Sequence, residues 1–127
     1  MQASRQLWDR FLAVDTAAVL DLLDPEIEVR EDPELPGASV YHGHGGWSEQ
    51  IAKFRELFPE IEYRVLDHID CGEDVLTVVE ASSTGAGSGI PMTVTYAELE
   101  RWRDGKVVLI RYFGSRQAAV EAAGSAD

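Results

Sequence analysis

The spacing of apolar residues changes once along this chain, near Ile61. Before that point they recur at intervals of three and four, as in Leu7, Trp8 and Phe11, which is typical of amphipathic helices. After it they recur at every second residue, which is typical of half-buried strands. Because helices come first and strands follow, the sequence predicts an α+β fold in which the helices cover one face of a mainly antiparallel sheet.

Local signals set the expected limits of the first elements. We expect Ser4 to cap the first helix, Pro25 to end the second and Pro59 to end the third. Between the second and third helices, alternation predicts a strand over residues 27–30. A long loop is expected over residues 34–46, which are rich in glycine and proline. The sequence thus predicts three helices and one short strand before Ile61.

Four long strands are predicted in the second half. Their turns are expected at Gly72, in the flexible segment 85–89, and at Asp104-Gly105, the pair that favours a type I′ hairpin. A terminal helix is predicted over residues 115–123, with Gly124 as its stop.

Size and charge limit the kind of protein. The 127 residues are 45% hydrophobic, which is enough for one domain, 1–127, with its own core. A formal net charge of −12 creates a field that repels phosphate backbones and anionic lipids, so we expect neither nucleic acid nor membrane partners. Cys71 is the single cysteine, and the first residues lack the apolar run of a signal peptide. A cytoplasmic location is therefore predicted.

Several short segments, in this order and spacing, carry a family resemblance. Together they resemble a SnoaL-like domain of the nuclear-transport-factor-2-like superfamily, which also includes ketosteroid isomerase and limonene-epoxide hydrolase. The resemblance spans essentially the whole chain, and it implies a cone-shaped, curved sheet whose concave face and N-terminal helices enclose a pocket. It also implies a homodimer and no cofactor. The segments are Asp15, Leu22 to Ile27, Tyr41 to His44, Arg103 to Val107 and Ala118 to Gly124.

Asp32 is the first candidate catalytic residue. It lies where the resemblance to ketosteroid isomerase places a general-base aspartate, and a carboxylate in an apolar cavity suits proton transfer between carbon atoms. The alternative is an acidic turn residue before Pro33, in contact with water.

Glu98 and Glu100 are anomalous because strand alternation places both on an otherwise apolar face with Tyr96 and Trp102. Acids there must be neutralised, paired or in contact with a wet cavity. The resemblance implies that Glu98 is a protonated acid that donates to a substrate oxyanion. The alternative is a one-residue bulge that turns both acids to solvent.

Aromatic residues are abundant enough to line a site for a flat hydrophobic ligand, although a purely structural core is the alternative. The first helix offers Trp8 and Phe11 but not the tyrosine that the isomerase uses as a phenolic donor. Tyr41 and His42 are expected at the pocket mouth. The full set of expected ligand-binding residues is Trp8, Phe11, Tyr41, His42, Trp47, Phe54, Tyr96, Glu100, Trp102 and Tyr112.

The histidines do not predict a metal centre. His42 and His44 would point the same way on a strand and could begin a site with Asp32 or Glu34. Close packing of the glycine-rich loop is the better interpretation, so no metal is predicted. His68 is expected to be exposed.

The sequence therefore predicts a pocket protein that binds a largely apolar small molecule and catalyses isomerisation or cyclisation by carboxylate proton transfer. The alternative is a non-catalytic ligand-binding or dimerisation module. A twofold dimer is expected through the outer sheet face, where apolar and threonine side chains are mixed with Arg101 and Arg103. These side chains are Thr93, Thr95, Ala97, Leu99, Val107 and Leu109.

Overall fold

A computed structural model of the chain describes residues 2–58, 60–83 and 91–124. The α+β prediction is confirmed, with helices mostly preceding a six-stranded sheet. The elements are α1 (Gln2–Leu12), α2 (Thr16–Leu20), β1 (Leu23–Arg30), β2 (Val40–His42), α3 (Gly43–Leu57), β3 (Glu62–Cys71), β4 (Asp74–Ser83), β5 (Met92–Arg103), β6 (Lys106–Phe113) and α4 (Arg116–Ala122).

The sheet has the strand order β2-β1-β6-β5-β4-β3 and is antiparallel except where β1 runs parallel to β6. Two predicted turns are confirmed. Gly72 has a φ of 81° between β3 and β4, and Asp104 and Gly105, with φ angles of 52° and 77°, join β5 to β6. Register shifts in β3 and at Arg101/Trp102 bend the sheet, which gives it the curvature of the expected cone.

The two faces of the sheet have different partners. Helices α1 to α3 cover the inner face, where the core includes Leu7, Val19 and Trp47. The predicted terminal helix is α4, which is capped by Ser115 and covers part of the outer face, where Ala119 packs with Leu99. None of the helices in the described part of the chain has the length and apolar character needed to cross a lipid bilayer.

Two predicted helix limits are wrong. Ser4 is not a cap: it is buried within α1 and hydrogen-bonds to Glu100. Pro25 does not end α2, which stops at Leu20, but lies within β1. The β1–β6 register is irregular between Leu23 and Glu28, so the missing N–H of Pro25 costs no ladder bond. Pro59 and the segment 85–89, the other predicted breaks, lie outside the described residues.

The predicted loop 34–46 also differs. Its second half forms β2 and the first turn of α3, with Gly43 at a φ of 72° between them. A Cβ at Gly46 would lie 3.1 Å from the Tyr41 backbone, so this glycine permits close packing of α3 on β2. His42 and His44 therefore do not share a strand. Within the described ranges, no group of three or more potential ligands could hold a metal ion.

Fewer residues of the outer sheet face are exposed for dimer contacts than the sequence predicts. Ala97 and Leu99 are buried beneath α4, and Leu109 is buried as well. Val107 faces the inner core instead, because the register shift at Arg101/Trp102 leaves one extra residue in β6. Thr93 and Thr95 remain exposed.

A buried ionic cluster lies on the outer side of the sheet. The Asp74 carboxylate accepts two hydrogen bonds from Arg101, at 2.9 and 3.2 Å, and one from Arg111 at 3.3 Å. It also accepts from the Gly124 N–H at 2.8 Å, directly after α4. One carboxylate therefore joins β4, β5, β6 and the end of α4.

Candidate functional site

A cavity of about 470 Å³ lies between the inner face of the sheet and the N-terminal helices. Its volume is within the range of small-molecule sites. Most of its lining is apolar, and the aromatic rings pack edge to face: Phe11 lies 5.0 Å from Tyr63 and 5.5 Å from Trp8 between ring centroids. The described lining includes no lysine, arginine or histidine, so the cavity does not suit an anionic ligand.

The structure brings most of the expected site residues together. The cavity is lined by the two candidate catalytic acids and by most of the predicted ligand-binding residues, namely Asp32, Glu98, Trp8, Phe11, Trp47, Phe54, Tyr96, Glu100 and Tyr112.

Three expected residues lie outside this lining. Tyr41 is buried on β2, where its hydroxyl accepts from Lys53 Nζ at 3.3 Å. His42 is exposed, with Nδ1 4.0 Å from a Glu28 carboxylate oxygen. Trp102 packs against the inner core beside Glu100.

Glu98 is positioned by β5 in the middle of the inner face, where only 4% of the residue is exposed. Burial raises the pKa of its carboxyl well above the usual range, the neighbouring Glu100 raises it further, and the nearby Tyr112 hydroxyl lowers it. The Oε2 atom is buried without a hydrogen-bond partner. Glu98 is therefore a neutral acid with one polar atom that a ligand could contact.

Glu100 is fully buried, but unlike Glu98 it has a hydrogen-bond donor at each carboxyl oxygen. Its Oε1 accepts from the Ser4 hydroxyl at 2.5 Å, and its Oε2 accepts from Trp8 Nε1 at 2.7 Å. Burial raises the pKa of Glu100 to about 7, although hydrogen bonds from Ser4 and Trp8 and the nearby Trp102 indole N–H lower it. Both acids face inward, so the alternative in which a bulge turns them to solvent is wrong.

Asp32 follows β1. Its residue is partly exposed, and its side chain lines the cavity. Its Oδ1 accepts from the Glu34 N–H at 3.0 Å, which makes the turn expected before Pro33. Its Oδ2 accepts from the Gly114 N–H at 2.9 Å, just after β6. The turn and the cavity position therefore coexist, and two backbone donors fix the orientation of the carboxylate.

Sequence reasoning missed several polar residues of the inner face. Gln50 is fully buried on α3, and its Oε1 accepts from the Tyr112 hydroxyl at 3.3 Å. Ser4 and Gln50 both occupy positions on otherwise apolar helix stripes, and that signal could have identified them. His68 is not simply exposed: it is half-buried, its Nδ1 lies 3.2 Å from Thr77 Oγ1, and burial lowers its pKa.

The two buried acids should make the stability of the protein fall as the pH rises. The folded protein keeps protons on Glu98 and Glu100 that the unfolded chain releases above the ordinary pKa of 4.5, and for Glu100 this continues to about 7. Each such proton contributes a slope of about 1.4 kcal/mol per pH unit to the free energy of unfolding.

Urea unfolding between about pH 5 and pH 8, the range over which these groups lose their protons, measures this slope. We expect Glu98→Gln to flatten it, and exposed Glu56→Gln to leave it unchanged. An identical slope in Glu98→Gln and the unmodified protein would contradict the burial of an uncharged acid.

The curved sheet with helices over an apolar cavity defines a cone-shaped α+β fold. The profile of the SnoaL-like domain matches residues 4–110. The chain therefore belongs to the SnoaL-like domain family. A comparison with curated proteins found no match.

Solved structures share the fold at low sequence identity. TerC, co-crystallised with polyporic acid, is 19% identical with a TM-score of 0.76, covering 98% of this chain and 97% of TerC. An NTF2-like protein from Burkholderia thailandensis is 21% identical with a TM-score of 0.79, covering 95% and 94% of the two chains. A protein assigned as a SnoaL-like polyketide cyclase, from Jannaschia sp. CCS1, is 19% identical with a TM-score of 0.73, covering 99% and 94%. These similarities establish the fold.

Proposed function

We propose that this protein binds a largely apolar small molecule in its cavity and catalyses an isomerisation or cyclisation by carboxylate proton transfer. One observation carries the proposal: Asp32 and Glu98 line the same apolar cavity, and burial keeps the Glu98 carboxyl neutral. Two carboxyl groups in different surroundings can serve as base and acid of one reaction.

The reaction begins with the removal of a proton from a carbon atom next to a carbonyl group, by the Asp32 carboxylate. The electron pair of the broken C–H bond moves toward the carbonyl oxygen, and the Glu98 O–H donates a hydrogen bond to that oxygen as it becomes negative. In an isomerisation, Asp32 returns the proton to a different carbon. In a cyclisation, the carbon nucleophile attacks a second carbonyl group of the same molecule, and the proton goes to the new oxygen. Neither route needs a cofactor.

The lining indicates the class of ligand. Aromatic rings such as Trp8, Phe11 and Tyr96 suit a flat hydrophobic body, and the lack of a basic lining residue disfavours carboxylates and phosphates. The co-crystallisation of TerC with polyporic acid supports a small-molecule ligand for this fold. A neutral ketone with an acidic C–H bond combines these requirements.

A non-catalytic ligand-binding module is the second candidate. It is favoured by the backbone contacts of Asp32, since N–H groups of Glu34 and Gly114 engage both carboxylate oxygens as they would in a purely structural turn. Binding without proton transfer would support this candidate.

Deuterium exchange distinguishes the proposed enzyme from the non-catalytic binding module. Flat neutral ketones are first screened for an increase in melting temperature, and each binder is then followed by NMR in D₂O for loss of the proton next to its carbonyl. The proposed enzyme accelerates this exchange, and Glu98→Gln slows it. Binders that exchange at the uncatalysed rate would contradict the catalytic proposal.

We also propose that the protein forms a homodimer. The outer face still offers Thr93 and Thr95 on β5, and Leu66, at the register shift of the neighbouring edge strand β3, is 45% exposed. Sedimentation equilibrium at about 10–100 μM, the range in which association is commonly tested, should give twice the mass of 14.0 kDa. Leu66→Lys should weaken association and Leu35→Lys, at another exposed leucine, should not. A single species of the monomer mass throughout would contradict the dimer.

We further infer a reducing, cytoplasmic location. Its support is the single cysteine, Cys71, which leaves no pair for a disulfide within the chain.

A further inference from the structure

The two cavity glutamates have different hydrogen-bond partners although they are separated by a single residue on β5. Each oxygen of Glu100 accepts from a donor on α1, the Ser4 hydroxyl or the Trp8 indole N–H. The Tyr112 hydroxyl lies near Glu98 but donates to Gln50, and Glu98 Oε2 has no hydrogen-bond partner. The same strand and the same cavity therefore hold one satisfied and one incompletely satisfied carboxyl group.

We propose that Glu100 is a positioning residue for this site: fixed by Ser4 and Trp8, it is the member of the pair that loses its proton, and its charge keeps Glu98 in the neutral, hydrogen-bond-donating form. The inference deepens the proposed function, and rests on it, because it explains how Glu98 remains an acid.

Hydrogen-bond chemistry assigns the charge within the pair. Bonds from O–H and N–H groups to a carboxylate are roughly twice as strong as those to a neutral acceptor, so two such donors favour ionised Glu100. An ionised Glu98 would leave its Oε2 charged and unpartnered in apolar surroundings, which is costly. Two adjacent charges would also repel each other, so the pair keeps one proton. That proton stays on Glu98.

Among the groups of the described residues, Glu100 is the one whose charge raises the pKa of the Glu98 carboxyl. Burial raises the pKa of the tyrosines, so their hydroxyls stay neutral, and burial lowers the pKa of His68 behind Thr77. Asp32 lines the same cavity, and Arg5 and Asp9 of α1 lie on the His68 side. The groups that face Glu98 are Tyr63 of β3, Thr77 of β4, Tyr96 and Glu100 of β5, Tyr112 of β6 and Gln50 of α3.

The Ser4 and Trp8 donors both lie on α1. The position of this helix therefore controls the pKa of Glu100 and, through its charge, the pKa of Glu98. If α1 moved away from the sheet, Glu100 would lose both hydrogen bonds and would hold its own proton more tightly. Glu98 would then have no charged neighbour on its strand and would be a stronger acid.

The test is a titration of the folded protein, without substrate, by NMR of ¹³C-labelled glutamate carboxyl groups. In Glu100→Gln, the Glu98 midpoint should fall by about one pH unit or more, because the adjacent charge is gone. In Trp8→Phe, which keeps both acids and an aromatic ring, the Glu100 midpoint should rise and the Glu98 midpoint should fall. Glu80→Gln, which removes a carboxylate bonded to Arg64, should leave both midpoints unchanged.

An unchanged or higher Glu98 midpoint in both Glu100→Gln and Trp8→Phe would overturn this inference, whatever the exchange assay shows. Failure of the proposed function has a different signature: the titration behaves as expected, but bound ketones do not exchange. The two failures are therefore distinguishable.

Discussion

Asp32→Asn should reduce turnover by roughly 10²-fold or more while changing ligand affinity by less than about 1 kcal/mol. Asparagine keeps the size of the side chain, and its one carbonyl oxygen can still accept from the Glu34 N–H, so the turn after β1 should survive although the bond from Gly114 is lost. It cannot take a proton from carbon. The substitution should therefore slow proton removal and leave binding nearly unchanged. Deuterium exchange of a bound ketone measures the rate of proton removal.

Asp24→Asn provides the matched control. Asp24 lies on β1, the strand that Asp32 follows, and accepts the Glu26 N–H at 2.8 Å in the same kind of local contact, but it does not line the cavity. Its substitution should leave exchange and binding unchanged. If exchange were equally fast in Asp32→Asn and the unmodified protein, Asp32 would not be the base.

Asp74→Asn should be among the most destabilising single changes, at about 3–5 kcal/mol. The variant leaves Arg101 and Arg111 charged and buried without the carboxylate that both contact, and it weakens the link from Gly124 to the sheet. Urea unfolding at neutral pH measures the loss. Asp70→Asn, at an exposed turn carboxylate that accepts the Gly72 N–H, is the control and should cost less than about 1 kcal/mol.

The effect of Asp74 should also depend on pH. Burial alone would raise the pKa of this carboxyl, but hydrogen bonds from Arg101 and Gly124, together with the charges of both arginines, hold it below its usual value of 3.8. Its stabilisation is therefore complete at neutral pH and is lost as the pH falls below about 4 through the folded-state pKa. The stability gap between the unmodified protein and Asp74→Asn should narrow over that range. A stability difference that stays constant down to about pH 2 would contradict the role of this charge.

Most of the fold could be predicted because its signals are local. Alternation specified the four long strands, and Asp104-Gly105 specified a hairpin. The errors arose where tertiary contacts override local preference. Ser4 is a good cap by type, but its hydroxyl pairs with Glu100, 96 residues away. Val107 was assigned to the wrong face because a bulge shifts the alternation, and the sequence does not reveal it.

The candidate site was predictable in a similar way. Alternation alone identified Glu98 and Glu100 as acids on an apolar face, and the structure places both in the cavity. Their different protonation could not be predicted, because the donors that distinguish them come from α1 and β6, far away in sequence. The family resemblance indicated Asp32, whereas its contact with Gly114 depends on the return of β6 beside β1.

The most direct measurement for the central claim is the pH titration of Glu98 in the unmodified protein, by ¹³C NMR of its carboxyl group. An acid–base site in this cavity requires Glu98 to remain protonated where ordinary glutamates, with a pKa of about 4.3, are ionised. We expect its midpoint well above the usual range, with Glu100 titrating first, at about 7. If both residues titrated near 4.3, neither carboxyl would be a neutral acid at physiological pH, and the proposed proton transfer would lose its physical basis.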